Sequence, residues 1–128
     1  MHRRTLLTLP AAALAARAAR AETWPARQVR MVVPFPPGGT TDFVARLVGD
    51  RLAAVLGQPF VIENRAGAGG TVGSDFVAKS APDGHTLVVS NVAAHGVAPS
   101  VYPTIPYDAV RDFAHVALLA EIPSVLVV

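Results

Sequence analysis

A pattern for a buried strand, a proline- and glycine-rich turn and a helix pattern follow one another without a gap near the start of this chain. Val29–Phe35 is a continuous apolar run with β-branched residues, as is typical of a strand buried in a parallel sheet. Two prolines and two glycines then precede the helical spacing of apolar residues over Asp42–Leu56, and Gly57 is a typical helix stop. A buried strand that turns directly into an amphipathic helix indicates a βα unit.

The alternation of strands and helices continues along the chain. Strand, helix and strand patterns follow at Phe60–Glu63, Thr71–Lys79 and Thr86–Ser90. This β-α-β-α-β order predicts an α/β fold, with a parallel sheet, flanking helices and right-handed crossovers. Beyond it we expect a loop, a helical turn and two further strands, at Asn91–Pro106, Asp108–Phe113, His115–Ala120 and Val125–Val128.

Residues 1–21 have the pattern of a signal peptide. Arg3 and Arg4 precede an Ala/Leu segment and an Ala19-Arg20-Ala21 cleavage site. The arginine pair fits either general secretory or twin-arginine export, and the apolar run is too short to span a bilayer. The alternatives are a membrane anchor or a disordered tail. The signal peptide predicts a periplasmic protein.

Without this leader the chain is slightly acidic. Residues 22–128 contain seven Lys and Arg against nine Asp and Glu, a balance of −2, so the excess of basic residues belongs to the leader. No basic run remains that would indicate nucleic-acid binding. The absence of cysteine excludes disulfides and thiolate metal sites, and the four histidines lack the spacing of metal ligands. We therefore predict no metal and no cofactor.

The turn PFPPGGTTD is the first candidate for a binding site. Backbone N–H groups around Gly38–Thr41, with the hydroxyls of both threonines, could hold a carboxylate or a phosphate at the start of a helix. Parallel α/β sheets bind ligands at the carboxyl ends of their strands, where this turn falls. The alternative is a tight turn in which a threonine only caps the helix. Asp42 could act as an acid or a metal ligand, but an aspartate in the first turn more often stabilises the helix dipole.

Two later turns are further candidates. The glycine cluster of residues 67–73 lacks the dinucleotide-binding fingerprint and follows the second strand, so it is better explained as a second wall of a cleft or a plain turn. Ser90–Gly96 follows the third strand and offers Ser90, Asn91 and His95 for hydrogen bonds. A Ser-His-Asp triad of Ser90, His95 and Asp42 is conceivable, but no serine stands on a G-x-S-x-G elbow. Arg65 either pairs with an anion or simply with Glu63.

The motifs PFPPGGTTD, ENRAGAGGTVG and APDGHTL, in this order and spacing, resemble those of one family. This family comprises the substrate-binding proteins of tripartite tricarboxylate transporters, the Bug-type receptors, and the similarity covers Trp24–Val128. The resemblance implies a type II periplasmic-binding-protein-like receptor without enzymatic activity, whose two α/β domains close on a small organic carboxylate. It implies backbone and water-mediated binding by two loops, so we expect the ligand-binding residues to be Phe35, Pro37, Gly38, Gly39, Thr40, Thr41, Asp42, Ser90, Asn91, Ala94 and His95.

The same resemblance divides the chain and suggests its partners. Residues 22–121 would form α/β domain I, and residues 122–128 would begin the crossover to a second domain that this chain lacks, as in a truncated receptor. The expected partners are the membrane subunits of a tripartite transporter or a sensor kinase, with the receptor itself a monomer. Two other functions stay open at this point: a small α/β enzyme, either a hydrolase or a nucleotide-dependent catalyst, and a ligand-presenting partner of a membrane sensor.

Overall fold

A computed structural model of the chain describes residues 23–123 and residue 126. The signal peptide predicted at residues 1–21 lies outside the described residues, and so do three of the four residues of the predicted last strand. The division into domains at residues 22–121 and 122–128 stays a prediction. Within the described residues the α/β fold is confirmed, because a parallel sheet carries helices on it.

The sheet has three parallel strands in the order β2-β1-β3. Strand β1 (Val29–Val33) lies in the centre, between β2 (Phe60–Asn64) and β3 (Thr86–Val88). Its central position explains the mostly apolar pattern, since a strand with neighbours on both sides and helices on both faces is largely buried, and Arg30 is its one half-buried residue. β1 ends at Val33, earlier than the apolar run, because Pro34 has no N–H to continue the ladder.

Two helices connect the strands. Helix α1 spans Thr40–Leu56 and ends at Gly57, which has a left-handed φ of 71° and donates its N–H to the Ala53 carbonyl at 3.0 Å. The predicted stop at Gly57 is therefore confirmed. Helix α2 spans Thr71–Ala78. None of the helices among the described residues is long and apolar enough to cross a membrane.

The helices cover opposite faces of the sheet. Met31 and Val33 of β1 pack with Ala45 of α1 and Val89 in one buried cluster. Alternation along β1 turns Arg30 to the other face, where its guanidinium lies 5.7 Å from the ring centroid of Phe76 in α2. Right-handed crossovers require this arrangement, because the chain moves from β1 to one edge strand and then back across β1 to the other.

The loop predicted at Asn91–Pro106 is wrong in its first half. A π-helical turn at Ala93–Val97 continues into a short helix, α3, at Ala98–Val101. The prolines of this stretch suggested a loop, but Pro99 occupies the first turn of α3, where its missing N–H costs no intrahelical bond.

Farther along, one prediction is confirmed and one is wrong. The helical turn at Asp108–Phe113 is present, with the N–H of Asp112 donating to the carbonyl of Asp108 at 3.1 Å. The strand predicted at His115–Ala120 does not form, and its apolar side chains are exposed, by 85 % at Val116 and 75 % at Leu118. An apolar run becomes a strand only where a neighbouring strand supplies hydrogen bonds, and no described strand pairs with this one.

Candidate ligand-binding site at the carboxyl edge of the sheet

Three loops meet at the carboxyl edge of the parallel sheet, each following one strand. The side-chain amide of Asn91, after β3, donates to the Thr41 hydroxyl at the start of α1 over 3.3 Å. The loop after β2 packs against both, because a Cβ on Gly70 would lie 3.0 Å from Ala94 Cβ and 3.0 Å from Phe35 Cζ. The fold therefore brings the PFPPGGTTD turn and the SNVAAH segment together, with the glycine cluster as a wall between them.

The first of these loops leaves the start of α1 open. Gly38 has a left-handed φ of 86°, and Gly39 is the N-cap residue in extended conformation, with no side chain capping the helix. The alternative in which a threonine caps α1 is therefore wrong. The N–H groups of the first turn of a helix have no intrahelical carbonyl partner, and the helix start carries a partial positive charge. Gly39 and Thr40 are exposed and Thr41 is half-buried, so their N–H groups are candidate donors at this edge of the sheet.

Asp42 lies beneath this loop and is fully engaged by protein groups. Its side chain is 5 % exposed and accepts the Gly38 N–H at 3.0 Å, both Nε and Nη2 of Arg46 at 3.0 and 2.9 Å, and Asn64 Nδ2 at 2.9 Å. Hydrogen bonds from Arg46, Gly38 and Asn64 together hold the Asp42 pKa well below its usual range. A carboxylate with this many donors fixes the loop and has little capacity left for a ligand.

Asn64 connects the two ends of the same loop. Its amide nitrogen donates to the Phe35 carbonyl at 3.1 Å as well as to Asp42, and its amide oxygen accepts from Arg46 Nη2 at 3.2 Å. Reasoning from the sequence missed Asn64, because its role joins positions 29 and 22 residues apart and leaves no local pattern. Arg46 did leave a signal, as it stands four residues after Asp42 on a predicted helix, the spacing of a helical ion pair.

The predicted residues after β3 divide into two groups. Asn91 faces the first loop through Thr41, and Ser90 Oγ is buried with no hydrogen-bond partner among the described residues. Ala94 and His95 instead face the interior: the Ala94 carbonyl accepts the Tyr107 hydroxyl at 2.6 Å, and His95 Nε2 lies 3.2 Å from Ser74 Oγ. Desolvation, with a smaller effect of nearby His115, lowers the His95 pKa.

These contacts bear on the alternatives that the sequence left open. The conceivable triad does not form, because His95 bonds to Ser74 rather than Ser90, and Asp42 bonds to Arg46. Arg65 pairs with Glu63 at 2.5 Å and stacks 3.7 Å above the Phe76 ring, so the simpler reading of this arginine is confirmed. Among residues 23–123 there is no group of three or more His, Asp or Glu side chains that could hold a metal ion.

A small cavity lies where the first and third loops meet. Its volume is about 160 Å³, and it is lined by the start of α1, the end of β3 and the extended segment that follows: Thr41, Val44, Val88, Val89, Ser90, Asn91, Ala117, Leu118, Leu119, Ala120 and Ile122. Ligand pockets usually measure 300–1,000 Å³, so this cavity is smaller than a complete ligand pocket. A larger depression of about 430 Å³ lies at the opposite edge of the sheet, around Trp24 and His85, away from the three loops.

Comparison with known proteins decides the family. Residues 44–128 match the family model described as tripartite tricarboxylate transporter family receptor, TctC. The chain belongs to this family. It is 50% identical over 108 residues to protein BugT of Bordetella pertussis, a match that covers 84% of this chain and 33% of BugT. The resemblance to Bug-type receptors is thus confirmed.

Solved structures of similar chains agree with this TctC assignment. MatC from Rhodopseudomonas palustris with bound malate has a TM-score of 0.72 and 51% identity, and the match covers 75% of this chain and 33% of MatC. A second R. palustris protein, with adipate, has a TM-score of 0.66 and 46% identity over 67% of this chain and 29% of its own. The chain spans about a third of the length of the curated TctC relatives it matches.

Proposed function

We propose that this chain forms the first lobe of a periplasmic receptor that binds a small organic carboxylate for a tripartite tricarboxylate-type uptake system. The observation that carries the proposal is the uncapped start of α1 at the carboxyl edge of the sheet, where Gly39 and Thr40 are exposed and Thr41 is half-buried. A carboxylate bound there accepts charge-assisted hydrogen bonds, which are about twice as strong as neutral ones. The buried, unpartnered Ser90 hydroxyl beside the same cavity is a further donor.

The ligand class follows from the relatives and from the chemistry of the loop. Malate is bound to MatC, and the second R. palustris protein is named with adipate, so we infer a dicarboxylate for the present chain. The small cavity fits a receptor whose second lobe supplies the opposite wall, and two lobes are needed for hinge closure. The residues that contact the ligand are inferred to be Gly39, Thr40, Thr41, Ser90 and Asn91, with Asp42 holding the loop from below.

The ligand class is tested on the full-length protein by thermal shift with malate, adipate and their uncharged diamides. We expect the acids to raise the melting temperature and the diamides to leave it unchanged, since the loop is built for negative charge. If no organic acid raises the melting temperature, the proposal is refuted. Capture of transporter membrane subunits, compared with sensor-kinase ectodomains, separates uptake from signalling.

A matched pair of variants tests the backbone donors. Thr40→Pro removes one N–H at the first helical position, where proline is well tolerated, and the extended conformation of Gly39 suits a residue that precedes proline. Thr40→Ala keeps that N–H and removes only the hydroxyl. A lost hydrogen bond to a charged group costs about 1.5–3 kcal/mol, so we expect Thr40→Pro to bind about 10- to 150-fold more weakly. Equal affinity of the two variants would contradict a role for this N–H.

A further inference from the structure

The loop proposed to bind a carboxylate is itself held by a carboxylate. Asp42 accepts the Gly38 N–H at 3.0 Å, directly beside the free donors of Gly39 and Thr40. Because the Asp42 side chain is 5 % exposed, water screens its charge poorly, and the interaction between two unit charges grows as the local dielectric falls. An unpaired charge at this position would repel the anion that the loop is built to attract.

Arg46 makes two kinds of contact that offset this charge. Its Nε and Nη2 bind the two carboxylate oxygens of Asp42 at 3.0 and 2.9 Å, the bidentate geometry that joins a guanidinium to a carboxylate most strongly. Its Nη2 also reaches Asn64 Oδ1 at 3.2 Å, which turns the amide nitrogen of Asn64 toward Asp42 and the Phe35 carbonyl. The arginine therefore supports both residues that fix the loop.

We propose that Arg46 is a positioning residue of the carboxylate site, which neutralises Asp42 so that this aspartate can hold the loop without repelling the ligand. The inference rests on the proposed function and adds a residue that touches no ligand. A helical ion pair on a solvated surface contributes little, and its loss would leave binding unchanged. The Arg46 side chain is 51 % exposed, but its bidentate contact to a buried carboxylate and its bond across to β2 distinguish this pair from one in which both partners are solvated.

The test uses the full-length protein and four variants: Arg46→Gln, Asp42→Asn, the double variant, and Arg51→Gln as the control. Arg51 lies on the same helix and is exposed, roughly 16 Å along the axis from its start, about two Debye lengths at physiological salt. Malate and adipate are titrated by calorimetry. Acetate, as a minimal carboxylate probe, is titrated while the backbone amide shifts of residues 39–41 are followed by NMR.

We expect Arg46→Gln to weaken binding about tenfold and Arg51→Gln to change it less than twofold. The double variant should regain most of the loss, because Asn at position 42 carries no charge and its amide can pair with Gln at position 46. A merely structural role predicts the opposite order, with the double variant at least as impaired as Arg46→Gln. Such an order, or an Arg46→Gln affinity equal to that of Arg51→Gln, overturns the inference.

Two readouts separate this inference from the proposed function. Malate binding that is unaffected by Arg46→Gln removes only the role of Arg46. If neither malate nor adipate binds with measurable heat, the proposed ligand class fails, and the amide shifts caused by acetate still test the role of Arg46. Smaller acetate shifts in Arg46→Gln that are restored in the double variant support this role. Shifts in Arg46→Gln equal to those in Arg51→Gln, or no shifts in the unmodified protein, overturn it.

Discussion

Gly73 in helix α2 lies against the rigid turn that follows β1, and its replacement by alanine tests how tightly the fold holds that turn. A Cβ at this position would lie 2.7 Å from Pro34 Cβ, 2.9 Å from Pro34 Cα and 2.8 Å from the Arg65 carbonyl oxygen. Ordinary contacts begin near 3.4 Å, so α2 would have to move by about 0.7 Å. Neither a proline ring nor a backbone carbonyl can rotate away.

The cost follows from two opposing effects. Overpacking of a well-packed interior usually costs about 1–3 kcal/mol, and contact with backbone on two sides places Gly73→Ala toward the upper end. Replacing a helical glycine by alanine returns up to about 1 kcal/mol. The net expectation is a loss of about 2 kcal/mol in the free energy of unfolding.

Gly49→Ala in α1 is the matched control. The nearest atom to its added Cβ is the terminal Cδ1 of Ile62 at 3.2 Å, which can rotate, and no backbone atom lies among its three nearest neighbours. We expect this variant to be neutral or more stable by up to about 1 kcal/mol. Urea unfolding of both variants, in the same full-length background, measures the difference. If Gly73→Ala is as stable as Gly49→Ala, the close packing of α2 on the turn is refuted.

Two further predictions concern the loops and pH. Gly70→Ala, at φ 95° and with its Cβ 3.0 Å from two neighbouring loops, should lower both stability and carboxylate affinity. Gly57→Ala, at φ 71° in open space, should lower only stability. Equal effects of the two variants on affinity, measured by calorimetry, would contradict the packing of the three loops. Burial lowers the His95 pKa, so the unfolded chain takes up this proton first, and the free energy of unfolding should fall as pH drops below about 6.5. The free energy of unfolding, measured with urea from pH 7.5 to 5, should depend less steeply on pH in His95→Gln. An unchanged dependence would exclude His95 as a source of the loss of stability at low pH.

Structural features that depend only on residues close together in the sequence could be predicted. The apolar run of β1, the turn with two glycines and the stop at Gly57 each depend on backbone preferences within a few positions, and all three appear in the structure. The parallel sheet follows from the order of these elements, because right-handed crossovers leave few arrangements. The place of the candidate site follows in turn, since the carboxyl ends of parallel strands share one edge.

Features that depend on distant partners could not be predicted in the same way. His115–Ala120 has the composition of a strand, but a strand also needs a neighbour, and composition does not show whether one is available. The contact of Asp42 with Asn64, 22 residues away on another strand, leaves no pattern in the sequence. The resemblance implies His95 as a ligand residue, whereas its packing against Ser74, Tyr107 and Phe113 becomes visible only in the structure.

A binding loop made of main-chain donors limits which substitutions can alter the ligand specificity of a receptor. If residues 39–41 bind the ligand as proposed, most substitutions of a side chain leave their N–H groups in place, so mutation seldom removes the contact to a carboxylate. Ser90 and Asn91, which line the same cavity, would act through side chains that a single codon change replaces. On the proposed function, new preferences among organic acids can then arise by changing residues after β3, while the backbone donors for a carboxylate stay the same. An effort to redesign the ligand specificity should leave PFPPGGTTD untouched and vary Ser90 and Asn91, because Ala94 and His95 pack into the interior.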